Sequence, residues 1–254
     1  PSSTGLLSVM DRLSVGKACI NHWFAIFGDM VRGNEEVAKL VAKFHDRFIG
    51  VGIIDPNYSK MAMEAEIRRC VEILGFRIIK IHPAHHVHDV PILDSRYEPV
   101  WEGAKKYGII ILVHTSKNIG VAGYEYAPVE PKHAGIIAAK YPQVTFIFGH
   151  SGNNYPGLLE CIEIAKQNPN VYLDTATGAL IAPGAIEMAV KEIGADRILF
   201  GSDATYMSMT WTIGSVFYAK ISDDDKRKIL GGNISRLLKQ ACVNVEKAIK
   251  SKPE

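Results

Sequence analysis

Residues 198–204 have the sequence ILFGSDA, in which four apolar or small residues run directly into a serine and an aspartate. An unbroken apolar run of this kind is typical of a parallel strand that is buried on both faces. The same pattern occurs at residues 109–114, IIILVH, and at residues 144–150, VTFIFGH. Each of these three predicted strands therefore delivers a histidine or an aspartate at its carboxyl end.

Strands of this type alternate with helical segments along the whole chain. We predict further strands at residues 15–20, 48–54, 76–82 and 171–174. Strands separated by helices indicate parallel βα units, and their regular spacing favours a (β/α) barrel over an open doubly wound sheet. A barrel of this type has eight strands. We therefore expect an α/β fold with one domain over residues 1–254, a (β/α)8 TIM-type barrel in which seven strands are counted and the first is missing.

The composition excludes several classes of function. A net charge of +2 gives no electrostatic reason to bind nucleic acid or an acidic membrane. No apolar run is long enough to cross a bilayer, and no GxGxxG or P-loop motif follows a strand. The four cysteines are scattered without a CxxC pair, which favours free thiols in a reducing compartment. We expect a cytoplasmic protein that acts on a small molecule.

The polar residues at three strand ends are candidates for one site. In a barrel the carboxyl ends of the strands meet at one mouth, so His114, His150 and Asp203 are expected to converge. Imidazole and carboxylate groups suit zinc and other divalent ions, and a bound ion can activate water. A single histidine is more often a hydrogen-bonded core residue. Three such groups at three strand ends favour a site.

Four short motifs lie at strand ends: IKIHP at 79–83, LVHT at 112–115, FGHSG at 148–152 and LFGSD at 199–203. They resemble motifs of the amidohydrolase superfamily and occur in the order found in that family. They are most similar to its amidohydrolase-related branch of metal-dependent hydrolases and decarboxylases. KILGGN at 228–233 resembles the family's closing helix junction. The resemblance implies a (β/α)8 barrel with a divalent metal, expected to be zinc, at its mouth.

The resemblance also implies roles for the three strand-end residues. His114 is similar to the metal ligand on the family's fifth strand. His150 resembles the sixth-strand histidine, which is a ligand or a general acid/base in different members. Asp203 resembles the eighth-strand aspartate, which is a ligand or the base that handles the nucleophilic water. We therefore expect His114, His150 and Asp203 to bind the metal, and His150 and Asp203 to be catalytic.

The sequence departs from the family at its start. Members typically have a metal-binding His-x-His pair at the end of the first strand, but this chain has no such pair near its start. The first strand that we identify resembles the family's second. A missing segment before Pro1 is the explanation we favour, and loss of the strand is the alternative. Because two ligands rarely fix a metal tightly, a catalytically silent barrel that binds a ligand or a partner is a further alternative.

Residues near the third predicted strand are expected to bind substrate. Lys80 and His82 lie at its carboxyl end, and His86 lies in the HHVHD sequence of the following loop. This histidine-rich loop is interpreted as a substrate-binding lid, a second metal site or simply a solvated loop. Asp174, at the end of another strand, either orients a ligand or makes a structural hydrogen bond.

These observations lead to three hypotheses for function. The first is a metal-dependent hydrolase that activates water against an amide, ester or lactone of a small molecule. The second is a non-oxidative decarboxylase of an aromatic or unsaturated carboxylic acid on the same fold. The third is the silent barrel. Because barrels of this size commonly pair, a homodimer is the assembly to test.

Overall fold

All seven predicted strands are present in the computed structural model, which describes residues 2–83, 90–117 and 130–251. The strands are β1 (Ala18–Ile20), β2 (Phe48–Ile53), β3 (Ile78–Ile81), β4 (Ile110–His114), β5 (Thr145–Gly149), β6 (Val171–Asp174) and β7 (Ile198–Leu199). The helices are α1 (Ser3–Arg12), α2 (Trp23–Phe27), α3 (Met30–Lys43), α4 (Lys60–Arg68), α5 (Glu98–Tyr107), α6 (Pro131–Lys140), α7 (Tyr155–Gln167), α8 (Ala185–Ile193), α9 (Met209–Tyr218), α10 (Asp223–Arg227) and α11 (Asn233–Lys250).

The strands form one parallel sheet in chain order, from β1 to β7. The register places Lys80 of β3 beside Leu112 of β4, and His114 of β4 beside Gly149 of β5. The sheet curls into a half-barrel, since side chains from β2 and β7 belong to one hydrophobic cluster on its concave face. Among the described residues no strand joins β1 to β7. The predicted barrel-type α/β fold with seven strands is therefore confirmed.

The strands β2 to β7 are largely apolar because both of their faces are buried, whereas β1 is only partly buried. In β5, Ile147 contributes to the concave cluster, whereas Phe146 and Phe148 pack in the larger core between the sheet and the helices. Leu237 and Ala241 of α11 pack against the concave cluster. Polar side chains such as His114 and Asp174 lie at the carboxyl ends of their strands.

Two helices were not predicted from the sequence. The helix α2 has five residues, too few to give a hydrophobic period. The helix α9 contains Gly214 and many aromatic and β-branched residues, which are weak helix formers. The spacing of apolar residues predicts a helix over residues 35–48. The helix α3 begins earlier, at Met30, because the Asp29 side chain caps it by accepting the Arg32 N–H at 2.8 Å.

No helix in the described part of the chain combines the length and the apolar character that a bilayer-spanning helix needs.

Candidate active site

The turn after β5 holds His150 in an unusual backbone conformation. His150 has a φ of 65° and Ser151 a φ of 44°, in the left-handed region that non-glycine residues seldom adopt. Two hydrogen bonds to Asp174 of β6 hold the turn. The His150 N–H donates to the Asp174 Oδ1 at 2.8 Å, and the Ser151 hydroxyl donates to the Asp174 carbonyl at 2.6 Å. The local strain is therefore stabilised by a neighbouring strand.

Two glycines allow this turn to pack against helix α7. A methyl group added at Gly157 would overlap the carbonyl oxygen of Gly152. We expect Gly157→Ala to lower the free energy of unfolding by about 1–3 kcal/mol, because backbone atoms cannot move aside easily. The control is Gly214→Ala in α9, where nothing lies within 4 Å of the added carbon and alanine is the better helix former. Urea unfolding of both variants measures the effect, and equal stability of the two would contradict this packing.

The His150 ring is fixed in one tautomer. Its Nδ1 lies 2.7 Å from the Ala176 carbonyl oxygen and 3.0 Å from the Thr177 hydroxyl. Because a carbonyl only accepts, Nδ1 carries the proton and the neutral ring has its lone pair at Nε2. Burial lowers the pKa of His150, and the charge of Lys80 lowers it further, against an opposing effect of Asp203. His150 is therefore suited to accept a proton or a hydrogen bond at Nε2.

Three histidines from successive strands lie together at the mouth. The His82 and His114 rings are stacked with centroids 3.9 Å apart, and the His114 and His150 rings meet edge to face at 4.6 Å. The structure thus brings His114 and His150 together, as expected from their positions at strand ends, and it adds His82, which directly follows β3.

Two carboxylates and one lysine complete the polar end of the half-barrel. Asp174 fits between strands because Gly201 has no side chain; a Cβ there would lie 3.1 Å from the Asp174 Oδ2. Burial raises the pKa of Asp174 to about 7. Lys80 is only 9% exposed, and burial lowers its pKa although the charges of Asp203 and Asp174 oppose this shift. Burial therefore disfavours the charged form of Lys80, and the two nearby carboxyl groups favour it.

Asp203 lies in a turn that follows β7. Its φ is 50°, and its carbonyl oxygen accepts hydrogen bonds from the Tyr206 N–H at 2.9 Å and the Met207 N–H at 3.0 Å. The backbone of the turn therefore holds Asp203 independently of its side chain. The carboxylate stays accessible to the cavity, because Asp203 is only partly buried.

These side chains line a cavity of about 2120 Å³. Its lining includes residues of both β1 and β7, so it extends into the gap between the two edge strands. Ligand pockets usually measure about 300–1,000 Å³, so this cavity is larger than a small substrate requires. Lys80, His82, His114, His150, Asp174 and Asp203 all line it. The arrangement can bind an anionic molecule and transfer protons to or from it.

The structure tests whether these residues suit the metal that the family resemblance implies. Within the ranges 2–83, 90–117 and 130–251, no three His, Cys, Asp or Glu side chains are arranged to hold an ion. The groups of His114, His150 and Asp203 have suitable donor chemistry, but their arrangement does not by itself fit a bound ion. No catalytic step is therefore assigned to a metal.

The outcome differs among the remaining candidate residues. His86 lies outside the described residues. Asp174 makes the structural hydrogen bonds that were one of its two predicted roles. Sequence reasoning missed Trp23, Phe27 and Tyr206, which line the same cavity. The sequence feature that could have indicated them is the presence of aromatic residues shortly after the ends of the first and last predicted strands.

The raised pKa of Asp174 predicts a dependence of stability on pH. The folded chain holds the Asp174 proton to about pH 7, whereas an unfolded aspartate titrates near pH 4. The folded state therefore binds more protons between these values, so this contribution to stability is complete below about pH 4 and is lost as the pH rises through about 7. We expect Asp174→Asn to reduce the fall in unfolding free energy over this range.

Urea unfolding at several pH values, with a chelator present, measures this effect. Asp46→Asn is the control, since Asp46 is exposed and its replacement should leave the slope unchanged. A wild-type slope retained in Asp174→Asn would show that another group is responsible.

Comparison with known proteins gives matches along most of the chain. A family model described as amidohydrolase matches residues 27–240. A γ-resorcylate decarboxylase from Polaromonas sp. is 26% identical over 252 residues, which cover 82% of this chain and 75% of that protein. A 2-amino-3-carboxymuconate-6-semialdehyde decarboxylase from Dictyostelium discoideum is 22% identical over 81% of this chain, and the match spans 65% of that protein.

Solved structures share the fold. An uncharacterised TIM-barrel protein from Bordetella bronchiseptica has a TM-score of 0.79 at 23% identity, with 95% of this chain and 84% of that chain covered. A dihydroxybenzoic acid decarboxylase from Polaromonas sp., solved with manganese and the inhibitor 2-nitroresorcinol, has a TM-score of 0.72 at 20% identity, with 94% and 86% covered. At these identities the likeness establishes the barrel-type fold.

Proposed function

Because the chain belongs to the amidohydrolase family, we propose that it is a non-oxidative decarboxylase of a small aromatic or unsaturated carboxylic acid. The observation that carries this proposal is the buried Lys80 amine. It lies near the carboxyl groups of Asp203 and Asp174, which favour its charged form, in one cavity with the three strand-end histidines. A cation in a desolvated site suits a carboxylate substrate. The two relatives named above are decarboxylases, which favours this reaction over the C–N or C–O hydrolysis that the sequence alone suggested.

In the proposed reaction, Lys80 binds and orients the substrate carboxylate. The bond between the carboxylate carbon and the substrate skeleton breaks, CO2 leaves, and the bonding electron pair stays on the skeleton carbon. Asp203 then delivers a proton to that carbon, so one carboxylate and one proton give one C–H bond and one CO2. His150 accepts a hydrogen bond from a substrate hydroxyl at Nε2. After product release, Asp203 takes one proton from solvent water, so that each turnover consumes one proton.

The cofactor that we propose is a divalent ion, which His114 would bind. His150 and Asp203, the other two expected ligands, take part in the hydrogen bond to the substrate and in the proton transfer instead. Zinc was expected from the sequence, and the solved structure of the Polaromonas dihydroxybenzoic acid decarboxylase contains manganese. Because the described residues alone do not fit an ion, the chain requires a further ligand or a rearrangement to bind one. Metal content after incubation with zinc or manganese, followed by gel filtration, tests this part separately.

The test of the reaction compares two kinds of substrate. The purified chain, with manganese or zinc added, is incubated with 2,6-dihydroxybenzoate and, separately, with aryl amides, aryl esters and lactones. We expect release of CO2 and 1,3-dihydroxybenzene in equal amounts, without hydrolysis of the second group. Hydrolysis without CO2 would favour the hydrolase, and inactivity on all of them would favour the silent barrel. The homodimer, the single domain over residues 1–254 and the cytoplasmic location stay predictions.

A further inference from the structure

Two buried threonines occupy corresponding positions in the sheet. Thr115 directly follows β4 and Thr175 directly follows β6, and both are fully buried. The Thr115 N–H donates to the Gly149 carbonyl oxygen at 3.1 Å, and the Thr175 N–H donates to the Leu199 carbonyl oxygen at 3.0 Å. Each threonine therefore continues the hydrogen bonds between its own strand and the next one past the end of the strand.

The Thr115 hydroxyl bridges the two ends of the turn after β5. It donates a hydrogen bond to the Gly149 carbonyl oxygen at 2.8 Å and accepts one from the Gly152 N–H at 2.9 Å. His150 lies between these two glycines, in the left-handed part of the turn. Thr115 therefore holds the strained turn from β4, whereas Asp174 holds it from β6.

The Thr175 hydroxyl makes similar contacts at the end of β7. It donates to the Gly201 carbonyl oxygen at 2.9 Å and accepts a hydrogen bond from the Gly201 N–H at 3.1 Å. Gly201 precedes Asp203 by two residues, and Gly149 directly precedes residue 150. Because glycine has the least restricted backbone, its position depends on hydrogen bonds from its neighbours. Each hydroxyl therefore restrains a glycine that leads into a residue of the proposed reaction.

We propose that Thr115 and Thr175 are positioning residues, which orient the His150 ring and the Asp203 carboxyl group towards the substrate. This inference rests on the proposed function, which gives those two groups their roles. Neither threonine lines the cavity, so neither contacts the substrate itself. Valine has nearly the shape of threonine but can neither donate nor accept a hydrogen bond. Thr115→Val therefore deprives the buried Gly152 N–H of its acceptor and allows the left-handed turn to relax.

The first test measures steady-state kinetics with 2,6-dihydroxybenzoate at saturating manganese. We expect Thr115→Val and Thr175→Val to lower kcat by about 10- to 100-fold, because a misplacement of about 1 Å is enough for such a loss, while KM stays within about twofold of wild type. Serine keeps the hydroxyl, so Thr115→Ser and Thr175→Ser should retain at least about a third of the wild-type kcat. A valine variant with wild-type kcat, or a serine variant as slow as the valine variant, would overturn the role of that threonine.

Thr212→Val is the matched control for loss of a buried threonine hydroxyl. Thr212 is 1% exposed and donates to the Met209 carbonyl oxygen at 3.1 Å, but it lies within α9 and does not line the cavity. We expect a wild-type kcat in this variant, although thermal unfolding should show a loss of stability. A fall in kcat as large as that of Thr115→Val would attribute the effect to stability alone and overturn the proposal.

The second test requires no activity, so it separates this inference from the proposed function. Long-range ¹H–¹⁵N NMR of the metal-free chain at about pH 8 shows which nitrogen of the neutral His150 ring carries the proton, and His150→Gln assigns the signal. We expect the proton at Nδ1 in the wild-type chain, in Thr115→Ser and in Thr212→Val. In Thr115→Val we expect some rings to carry it at Nε2, because the hydrogen bond to the Ala176 carbonyl weakens.

The outcomes of the two tests are distinguishable. If the wild-type chain releases no CO2, the proposed function fails, and the NMR measurement alone decides whether Thr115 orients the His150 ring. An unchanged ring in Thr115→Val would overturn that role. If this variant does not fold, Thr115→Cys takes its place under the same criteria, because a thiol is a weaker donor and acceptor than a hydroxyl.

Discussion

Replacement of Asp203 by asparagine is expected to lower kcat by about 10²–10⁴-fold without unfolding the chain. Asparagine has nearly the same volume but cannot deliver the proton that replaces the carboxylate, and general acid–base catalysis contributes a factor of this size. The turn should persist, since the hydrogen bonds to Tyr206 and Met207 use the backbone carbonyl of residue 203. Steady-state kinetics and thermal unfolding of the same preparation measure both effects.

Asp46→Asn is the control for loss of one negative charge, because Asp46 is exposed. Its kcat should equal that of the wild-type chain. If Asp203→Asn retains kcat within about twofold, Asp203 has no part in the chemical step. If it unfolds, Asp203→Glu keeps the acid, and the recovery of activity then separates catalysis from folding.

The second large effect is expected for Lys80→Met, which replaces the buried cation with an apolar side chain of similar length. Loss of a charge-assisted hydrogen bond worth about 1.5–3 kcal/mol should lower kcat/KM by about 10- to 100-fold. Most of this loss should appear in KM, because Lys80 is proposed to bind the substrate carboxylate in the ground state as well. The measurement is the dependence of initial rate on substrate concentration.

Lys17→Met is the matched control for Lys80→Met. Lys17 also lines the cavity, but it is exposed and lies before β1. If the cavity attracted acids only through its general charge, both substitutions would have equal effects. A decrease in kcat/KM that occurs in Lys80→Met and not in Lys17→Met supports a defined carboxylate site. A kcat/KM of Lys80→Met within about twofold of wild type would exclude such a site.

The strands were predictable because they are buried on both faces. An unbroken apolar run such as residues 109–113 has no alternation to interpret, so its length and its end at a polar residue carried the prediction. The helix α9 was not predictable in this way. Its sequence favours no helix, and it is stabilised by burial of Met209 and Val216 in the tertiary structure.

Only part of the site could be predicted from the sequence. His114 and His150 were found because each directly ends an apolar strand. The importance of Asp174 depends on a left-handed turn 24 residues earlier in the chain, which no local pattern indicates. The place of Trp23 and Phe27 in the cavity lining depends on which face of α2 packs against β2, and a five-residue helix has too few positions to indicate this.

The central claim is that the residues at the mouth of the half-barrel decarboxylate the substrate and protonate the carbon that carried the carboxylate. The most direct measurement incubates the chain with carboxyl-¹³C-labelled 2,6-dihydroxybenzoate and added manganese in D2O, and follows the products by NMR. We expect ¹³CO2 and 1,3-dihydroxybenzene with one deuterium at the carbon that carried the carboxylate, and formation of both about 10²–10⁴-fold more slowly with Asp203→Asn. Recovery of the labelled acid unchanged, while an ester, amide or lactone is hydrolysed at the same mouth, would contradict it.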